Sequence, residues 1–280
     1  MMTDKMTTFG NSKIQHGKHS DRVYLMSLAA ADLPGIVPYL DELASTQGYS
    51  KIFAKIPVAA EAVFLANGYT VEAAIPGFYH GAEHALFLGK YYCPKRREEQ
   101  HPQMVEEALA AALGKPQLAG QPTLEAQLHS RRLGPADTEA MAVLYRQVFA
   151  SYPFPIHDES YLRQTMGENV VYFGIWEGDA LLALASAEID AHGANAEMTD
   201  FATRPDCRGR GLANYLLAQG ERIAAQLGVK TAYTIARSYS PGMNITFARN
   251  GYTFSGTLTH NTQISGNLES MNVWHKSLCP

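Results

Sequence analysis

Arg208-Gly209-Arg210-Gly211-Leu212-Ala213 is the stretch of this 280-residue chain whose residue types most clearly specify a chemistry. It lies between a predicted strand ending near Thr203 and a segment, Leu212–Leu227, whose apolar residues recur at helical spacing. Glycine permits positive φ and lets a ligand approach the backbone closely. Successive amides then converge on one concavity at the positive end of a helix, a setting that favours anions. Arg208 and Arg210 add forked donors suited to phosphate oxygens. The loop therefore predicts phosphate binding. No Gly-Lys-Ser/Thr follows it, which excludes the nucleoside-triphosphate loop. Asn214 stands where a dinucleotide fingerprint carries its third glycine.

The composition narrows the ligand. The formal charge is −4 and the pI near 6.2. That argues against a nucleic-acid partner, which would demand clustered Lys and Arg. Cys93, Cys207 and Cys279 are too few and too scattered for a disulfide framework or a metal site, and they fit a reducing compartment. No apolar run reaches the roughly 20 residues of a membrane span. The first twenty residues are polar and read as a flexible tail, not a secretory leader. The expectation is a cytoplasmic protein with no metal, no membrane and no nucleic acid.

The elements that must position the loop follow from periodicity and punctuation. A strand at Val23–Met26, a helix over Asp32–Gln47 and a strand at Lys51–Ala54 come first. A helix from Pro57 to Asn67 and two strands, Val71–Ile75 and Ala85–Leu88, complete a first unit over residues 21–93. A helical linker over 94–122 ends in the Gly/Pro-rich segment Gly114–Pro122. Residues 123–280 form the second unit. It holds strands at Leu128–Leu133, Val170–Trp176, Ala180–Ile189, Ala196–Thr203, Thr231–Ala236, Tyr252–Leu258 and Met271–His275, and helices over Ala136–Ala150, Ser160–Met166, Leu212–Leu227 and Gly242–Arg249. A repeat links the units: Phe64-Leu-Ala-Asn-Gly-Tyr-Thr70 matches Phe247-Ala-Arg-Asn-Gly-Tyr-Thr253 at five of seven positions, offset by 183 residues (247 − 64).

Arg208-x-x-Gly211-x-Ala213, together with Asn244-x-x-Phe-x-x-x-Gly251-Tyr252, resembles the GNAT-type N-acetyltransferases over about residues 123–280. The resemblance implies an α/β (α+β) fold with a mixed, mostly antiparallel twisted sheet flanked by helices, and acetyl-coenzyme A as co-substrate without a metal. It assigns the loop Arg208, Gly209, Arg210, Gly211, Leu212 and Ala213 to the pyrophosphate. Backbone near Phe201 and Thr203, on a strand that splays at a bulge, receives the thioester and the pantetheine arm, and Asn244 lies beside that arm. An amine acceptor, with an ordinary pKa near 10.4, needs a base. Glu197 lies eleven residues before Arg208, the spacing of the base in several members, with Asp200 the second candidate. Strand alternation puts Glu197, Thr199, Phe201 and Thr203 on one face and Asp200 on the other. Phe247 stands where many members carry a tyrosine that protonates the thiolate, leaving Tyr239 and Tyr252 as substitutes.

Tyr152-Pro-Phe-Pro-Ile156, Met198–Thr203, Thr231–Arg237, Gly242–Phe247, Met271–Trp274, Lys51–Lys55 and Ile75–Tyr79 together resemble the β-lysine N-acetyltransferases along nearly the whole chain. This narrower resemblance implies acetylation of the ε-amine of a small cationic acceptor, β-lysine, giving a neutral compatible solute. The loop Tyr152–Asp158 and the N-terminal unit would wall the acceptor, with Tyr152 and Phe154 along its aliphatic stem. Ala29-Ala-Ala-Asp-Leu-Pro34 stands where the first unit should carry a glycine loop, so that unit reads as a degenerate half-copy of the same fold. An acetyltransferase for another amine or a protein terminus, and a non-catalytic acyl-coenzyme A sensor, stay open on the residues alone.

Overall fold

Thirteen strands form one sheet in the computed structural model of the chain, which describes residues 4–279. The first part contributes β1 (Lys5–Phe9), β2 (Ser12–Gly17), β3 (Arg22–Ser27), α1 (Ile36–Gln47), β4 (Lys51–Pro57), α2 (Glu61–Ala66), β5 (Thr70–Tyr79) and β6 (Glu83–Tyr91). The connection carries α3 (Pro94–Arg97) and α4 (Pro102–Leu113). Next come β7 (Leu128–Arg132), α5 (Thr138–Val148), α6 (Glu159–Glu168), β8 (Val170–Glu177), β9 (Ala180–Asp190) and β10 (Asn195–Thr203). The chain ends with α7 (Leu212–Gln226), β11 (Thr231–Arg237), α8 (Pro241–Arg249), β12 (Thr253–Ile264) and β13 (Asn267–Ser277).

The polarity of residues 1–20 predicts a flexible tail, but residues 5–17 form a hairpin instead. Residues 1–3 lie outside the described region, but β1 and β2 pair antiparallel from Lys5↔His16 to Phe9↔Ser12, and β2 continues onto β3. The Asp32 carboxylate fixes the turn by accepting from the Asn11 and Ser12 amides at 3.0 and 2.8 Å. The hairpin is polar because it closes one edge of the sheet, where only one face needs to be apolar.

The sheet order is β1-β2-β3-β4-β6-β5-β12-β13-β11-β10-β9-β8-β7. Read outward from the centre, β5-β6-β4-β3-β2-β1 corresponds to β12-β13-β11-β10-β9-β8. In each run the pair β3–β4 or β10–β11 is parallel and the other pairs are antiparallel. The register shifts at Val71/Ala73 in one hairpin and at Phe254/Gly256 in the other, again 183 residues apart (254 − 71). The register pair that joins the halves is Gly256↔Ala73, itself a pair of equivalent positions. The offset seen in the sequence repeat is thus carried through the architecture.

Helices cover both faces. α7 buries Leu212, Leu216, Leu217, Gly220 and Ala224, an apolar stripe at helical spacing, and packs on the face that includes Phe173. The adjacent residue Tyr172 belongs to the cluster under α5 and α6, so those helices lie on the opposite face. A separate apolar cluster, including Tyr24, Phe53, Phe78, Phe87, Tyr233, Leu258 and Val273, fills the seam between the halves.

Polar interactions lock that seam. The β12–β13 register jumps from Leu258↔Met271 to Thr262↔Glu269, so residues 259–261 bulge opposite the single residue Ser270. Buried carbonyls need partners, and each of these three meets a cation from outside its own hairpin. Lys51 Nζ donates to Thr259 O at 2.8 Å, Arg96 Nε to His260 O at 2.8 Å and Arg22 NH1 to Asn261 O at 2.5 Å. All three side chains are buried.

Gly256 has φ +140°, and a Cβ there would overlap the Glu72 carbonyl oxygen across the seam. Gly256→Ala is expected to destabilise the chain by about 2 kcal/mol or more, through backbone strain and overpacking. A urea midpoint unchanged from the parent would contradict this account of the seam.

Candidate active site

Between β10 and α7 the chain turns twice through positive φ, at Gly209 (+83°) and Gly211 (+77°). Gly211 is the N-cap of α7, and no side chain caps that end. The first amides of the helix thus have no intrahelical acceptor, and an anion can complete them. A Cβ built at either glycine meets nothing, so the space before the loop is open. Arg208, Gly209, Gly211, Leu212 and Ala213 line a cavity of about 990 Å³. Arg210 does not. Its guanidinium forks onto Glu125 at 2.9 and 2.8 Å, which corrects the expectation that both arginines face the phosphates. What remains, open amides at a helix start with Arg208 beside them, fits the pyrophosphate of coenzyme A.

β10 and β11 pair only from Asn195↔Thr231 to Glu197↔Tyr233 and then diverge. On its other side β10 shifts register against β9 between Thr199 and Ala202, where Asp200 takes φ +55°. The irregularity breaks simple alternation. Asp200 therefore lines the same cavity as Glu197, Thr199, Phe201 and Thr203, against the expectation that it faces away. The opened wedge between the strands suits an extended arm reaching from the glycine loop toward Glu197.

The two carboxylates differ in their surroundings. Glu197 stands directly opposite Glu188 in the β9–β10 register and next to Tyr233 of β11. Burial, reinforced by the Glu188 charge and opposed by Lys55, pushes the Glu197 carboxyl up to about 8. Burial also raises Asp200, but donors from Ser186 and Tyr152, both at 2.6 Å, oppose the shift and occupy its oxygens. Glu197 is thus suited to exchange a proton near neutral pH, whereas Asp200 is engaged in holding Tyr152.

Tyr152 and Phe154 line the cavity, as does Phe247, whose ring meets Phe201 edge-on at 5.7 Å. Asn244 does not reach it. Its amide donates to Arg237 O and Ser240 O and accepts from Asn272 Nδ2 and Trp274 Nε1, all within 3.0 Å, which satisfies the buried side chain completely. Asn244 ties the start of α8 to β13 and leaves no group for a ligand arm. Neither tyrosine considered as a replacement acid lines the cavity: Tyr239 donates to Glu99 at 2.5 Å, and Tyr252 is buried beside Glu221. The cavity also takes Gln15, Arg22, Tyr24, Lys55, Glu188 and Tyr233, none of which the sequence singled out as site residues. Only Lys55 left a signal, since alternation along Lys51-Ile-Phe-Ala-Lys55 sets its two lysines on one face with Phe53.

The fold and this site define an acetyltransferase. The chain belongs to the GNAT family of acetyltransferases, whose family model matches residues 139–252. It is 34% identical over 275 residues to the β-lysine N(6)-acetyltransferase of Methanococcus maripaludis, covering 98% of both chains. It is 32% identical over 223 residues to the N-acetyltransferase YodP of Bacillus subtilis, covering 79% of this chain and 78% of the relative. Among solved structures, the ribosomal-protein-S18-alanine N-acetyltransferase from Escherichia coli overlays with a TM-score of 0.48 at 16% identity, covering 55% of this chain and 95% of that one. The chain is accordingly an acetyl-coenzyme A-dependent amine N-acetyltransferase. Among the described residues no cluster of three His, Cys, Asp or Glu could hold a metal, and no helix is long and apolar enough to cross a membrane.

Gly211→Asp is expected to weaken acetyl-coenzyme A binding about tenfold or more, since like charges in contact cost several kcal/mol. Asp tolerates left-handed backbone better than most residues, so the fold should persist. Gly211→Asn supplies the same shape without charge. Equal calorimetric affinities for the two variants would remove the pyrophosphate from this loop.

Proposed function

We propose that the chain transfers the acetyl group of acetyl-coenzyme A to the ε-amine of β-lysine by direct attack within a ternary complex, giving N6-acetyl-β-lysine, a neutral compatible solute. The observation that carries this reading is the likeness to a β-lysine N(6)-acetyltransferase along 98% of both chains, including the N-terminal half that walls the cavity. Similarity confined to the coenzyme-binding half would support only a generic acetyltransferase.

In this reading Arg208 and the amides of Gly209 and Gly211–Ala213 hold the pyrophosphate, while backbone at Phe201 and Thr203 lies along the pantetheine arm. The co-substrate supplies an activated thioester. The ε-ammonium pairs with the ionised form of Glu197, beside Glu188, and that carboxylate takes its proton. The nitrogen lone pair then bonds to the thioester carbon as the C–S bond breaks and the thiolate leaves. A base near 8 matches an amine of pKa near 10.4 more closely than an ordinary carboxylate does. Phe247 offers no proton, so the thiolate departs without a side-chain acid at that position.

Glu197→Gln is expected to lower kcat by about 100-fold or more, with the deficit shrinking only above about pH 8, where the parent's base is already ionised and free amine still accumulates. The same variant separates a stability effect. The folded carboxyl titrates near 8 and the unfolded one near 4.5, so the protonated residue is tolerated at low pH and folding stability is lost as pH rises between those values. Relative to the parent, Glu197→Gln should therefore unfold at higher urea at pH 9 than at pH 5. A constant difference across that range, with an unaltered pH–rate profile, would move the base elsewhere.

The substrate is tested by kcat/KM for β-lysine, α-lysine, ornithine and spermidine, following free thiol. β-Lysine is expected to exceed the others by at least tenfold, because a site built to pair a charged group rejects analogues that misplace it. Parity with α-lysine or spermidine would leave only a general amine acetyltransferase, and no thiol release with any amine would indicate a sensor.

A further inference from the structure

Of the three cations on the bulge carbonyls, two have a carboxylate partner. Lys51 pairs with Glu72 at 2.8 Å and Arg96 with Asp21 at 3.3 Å. Arg22 has none within ion-pair distance among the described residues, although it is only 4% exposed. Its NH1 is used by Asn261 O and Thr262 Oγ1, while Nε has no hydrogen-bond partner. Asp4 and Glu197, on the same cavity, act on its charge only from beyond contact distance. A buried guanidinium with no carboxylate in contact is incompletely compensated, and an arriving anion would relieve that penalty.

The position of this charge is informative. Arg22 lines the same cavity as Glu197 and the glycine loop. Its guanidinium lies 5.1 Å from the Tyr24 ring and 5.8 Å from that of Phe53, and these rings stack on each other at 4.5 Å. The aromatic floor limits its orientations and leaves a planar fork, the shape that matches a carboxylate. Two further buried polar atoms of the cavity lack partners, Gln15 Oε1 and Asn261 Oδ1, on residues only 2% and 1% exposed. Amide oxygens of this kind accept from an ammonium group. A carboxylate and a neighbouring amine would thus satisfy three buried groups at once.

We propose that Arg22 of the N-terminal half binds the acceptor's carboxylate, with the amides of Gln15 and Asn261 receiving the amine beside it. The acceptor then lies between a cationic anchor at Arg22 and the acidic pair Glu188 and Glu197, where its distal amine reacts. This site rests on the amino-acid acceptor proposed above, and it gives the half without a glycine loop a role in choosing the substrate. Polyamines present a cation to Arg22 and are repelled. α-Lysine places its second amine one carbon closer to the carboxylate, away from the amides.

The test compares β-lysine with its carboxamide in the parent, in Arg22→Gln and in Arg22→Lys. In the parent, loss of the carboxylate should lower kcat/KM about 100-fold, mainly through KM. In Arg22→Gln the acid and the amide should fall within a few-fold of each other, with acetyl-coenzyme A affinity unchanged. Arg22 also holds the Asn261 carbonyl, so Arg22→Gln could unfold. Arg22→Lys keeps a donor for that carbonyl but lacks the fork, and should discriminate about tenfold less than the parent. Equal turnover of acid and amide by the parent, or an undiminished preference in the Arg22 variants, would overturn the anchor while leaving β-lysine as the substrate. Failure of both β-lysine and its amide to release thiol, where another amine succeeds, would instead overturn the substrate assignment.

Discussion

Three consecutive carbonyls, of Thr259, His260 and Asn261, are pushed out of the β12–β13 ladder with no strand to receive them. Their pairing with Lys51, Arg96 and Arg22 is the constraint on which the rest of the molecule depends. Apolar packing in the seam would hold the halves together, but it is non-directional and tolerates sliding. Charge-assisted bonds to fixed carbonyls do not. Such pairs contribute little net stability, because desolvation offsets most of the attraction, yet losing one partner leaves a buried group unmet. They set the register between β12 and the N-terminal half, and so the shape of the cavity the two halves share.

Within this near-symmetric frame the chemistry is divided unequally. α7 begins at Gly211 with positive φ and no capping side chain, which leaves its amides available. α1 begins at Gly35 with φ −61°, and the turn before it carries Asp32, whose carboxylate is bound to the Asn11 and Ser12 amides. A fixed negative charge there disfavours phosphate. The N-terminal half instead presents Arg22, Tyr24, Phe53 and Lys55 to the cavity.

The legible parts of the sequence were those set by neighbours along the chain. The glycine loop and the helix behind it follow from a few contiguous residues, the splay of the strand before them came only with the family resemblance, and the 183-residue repeat was visible as a string. What escaped depended on distant partners. Arg210 is drawn away by Glu125, 85 residues earlier, and Asn244 is saturated by Asn272 and Trp274, 28 and 30 residues later. The bulge that turns Asp200 into the cavity has no glycine or proline to announce it. Arg22 sits in an unremarkable strand, and its role emerges only because the seam brings it to a carbonyl 239 residues away.

The join at Gly256↔Ala73 also bears on how the chain avoids its own copies. A sheet that stopped at β12 would present an open row of amides and carbonyls, the template from which strand-mediated aggregation grows. Here each half supplies the strand that closes the other, so two sticky borders are consumed within one molecule. A fragment cut to residues 123–280 would keep the glycine loop and Glu197 but would display β12 as a bare edge, with three carbonyls stripped of their cations. The N-terminal half therefore does more than line the cavity: it covers the β12 border, which in a separated fragment would be free to pair with another copy.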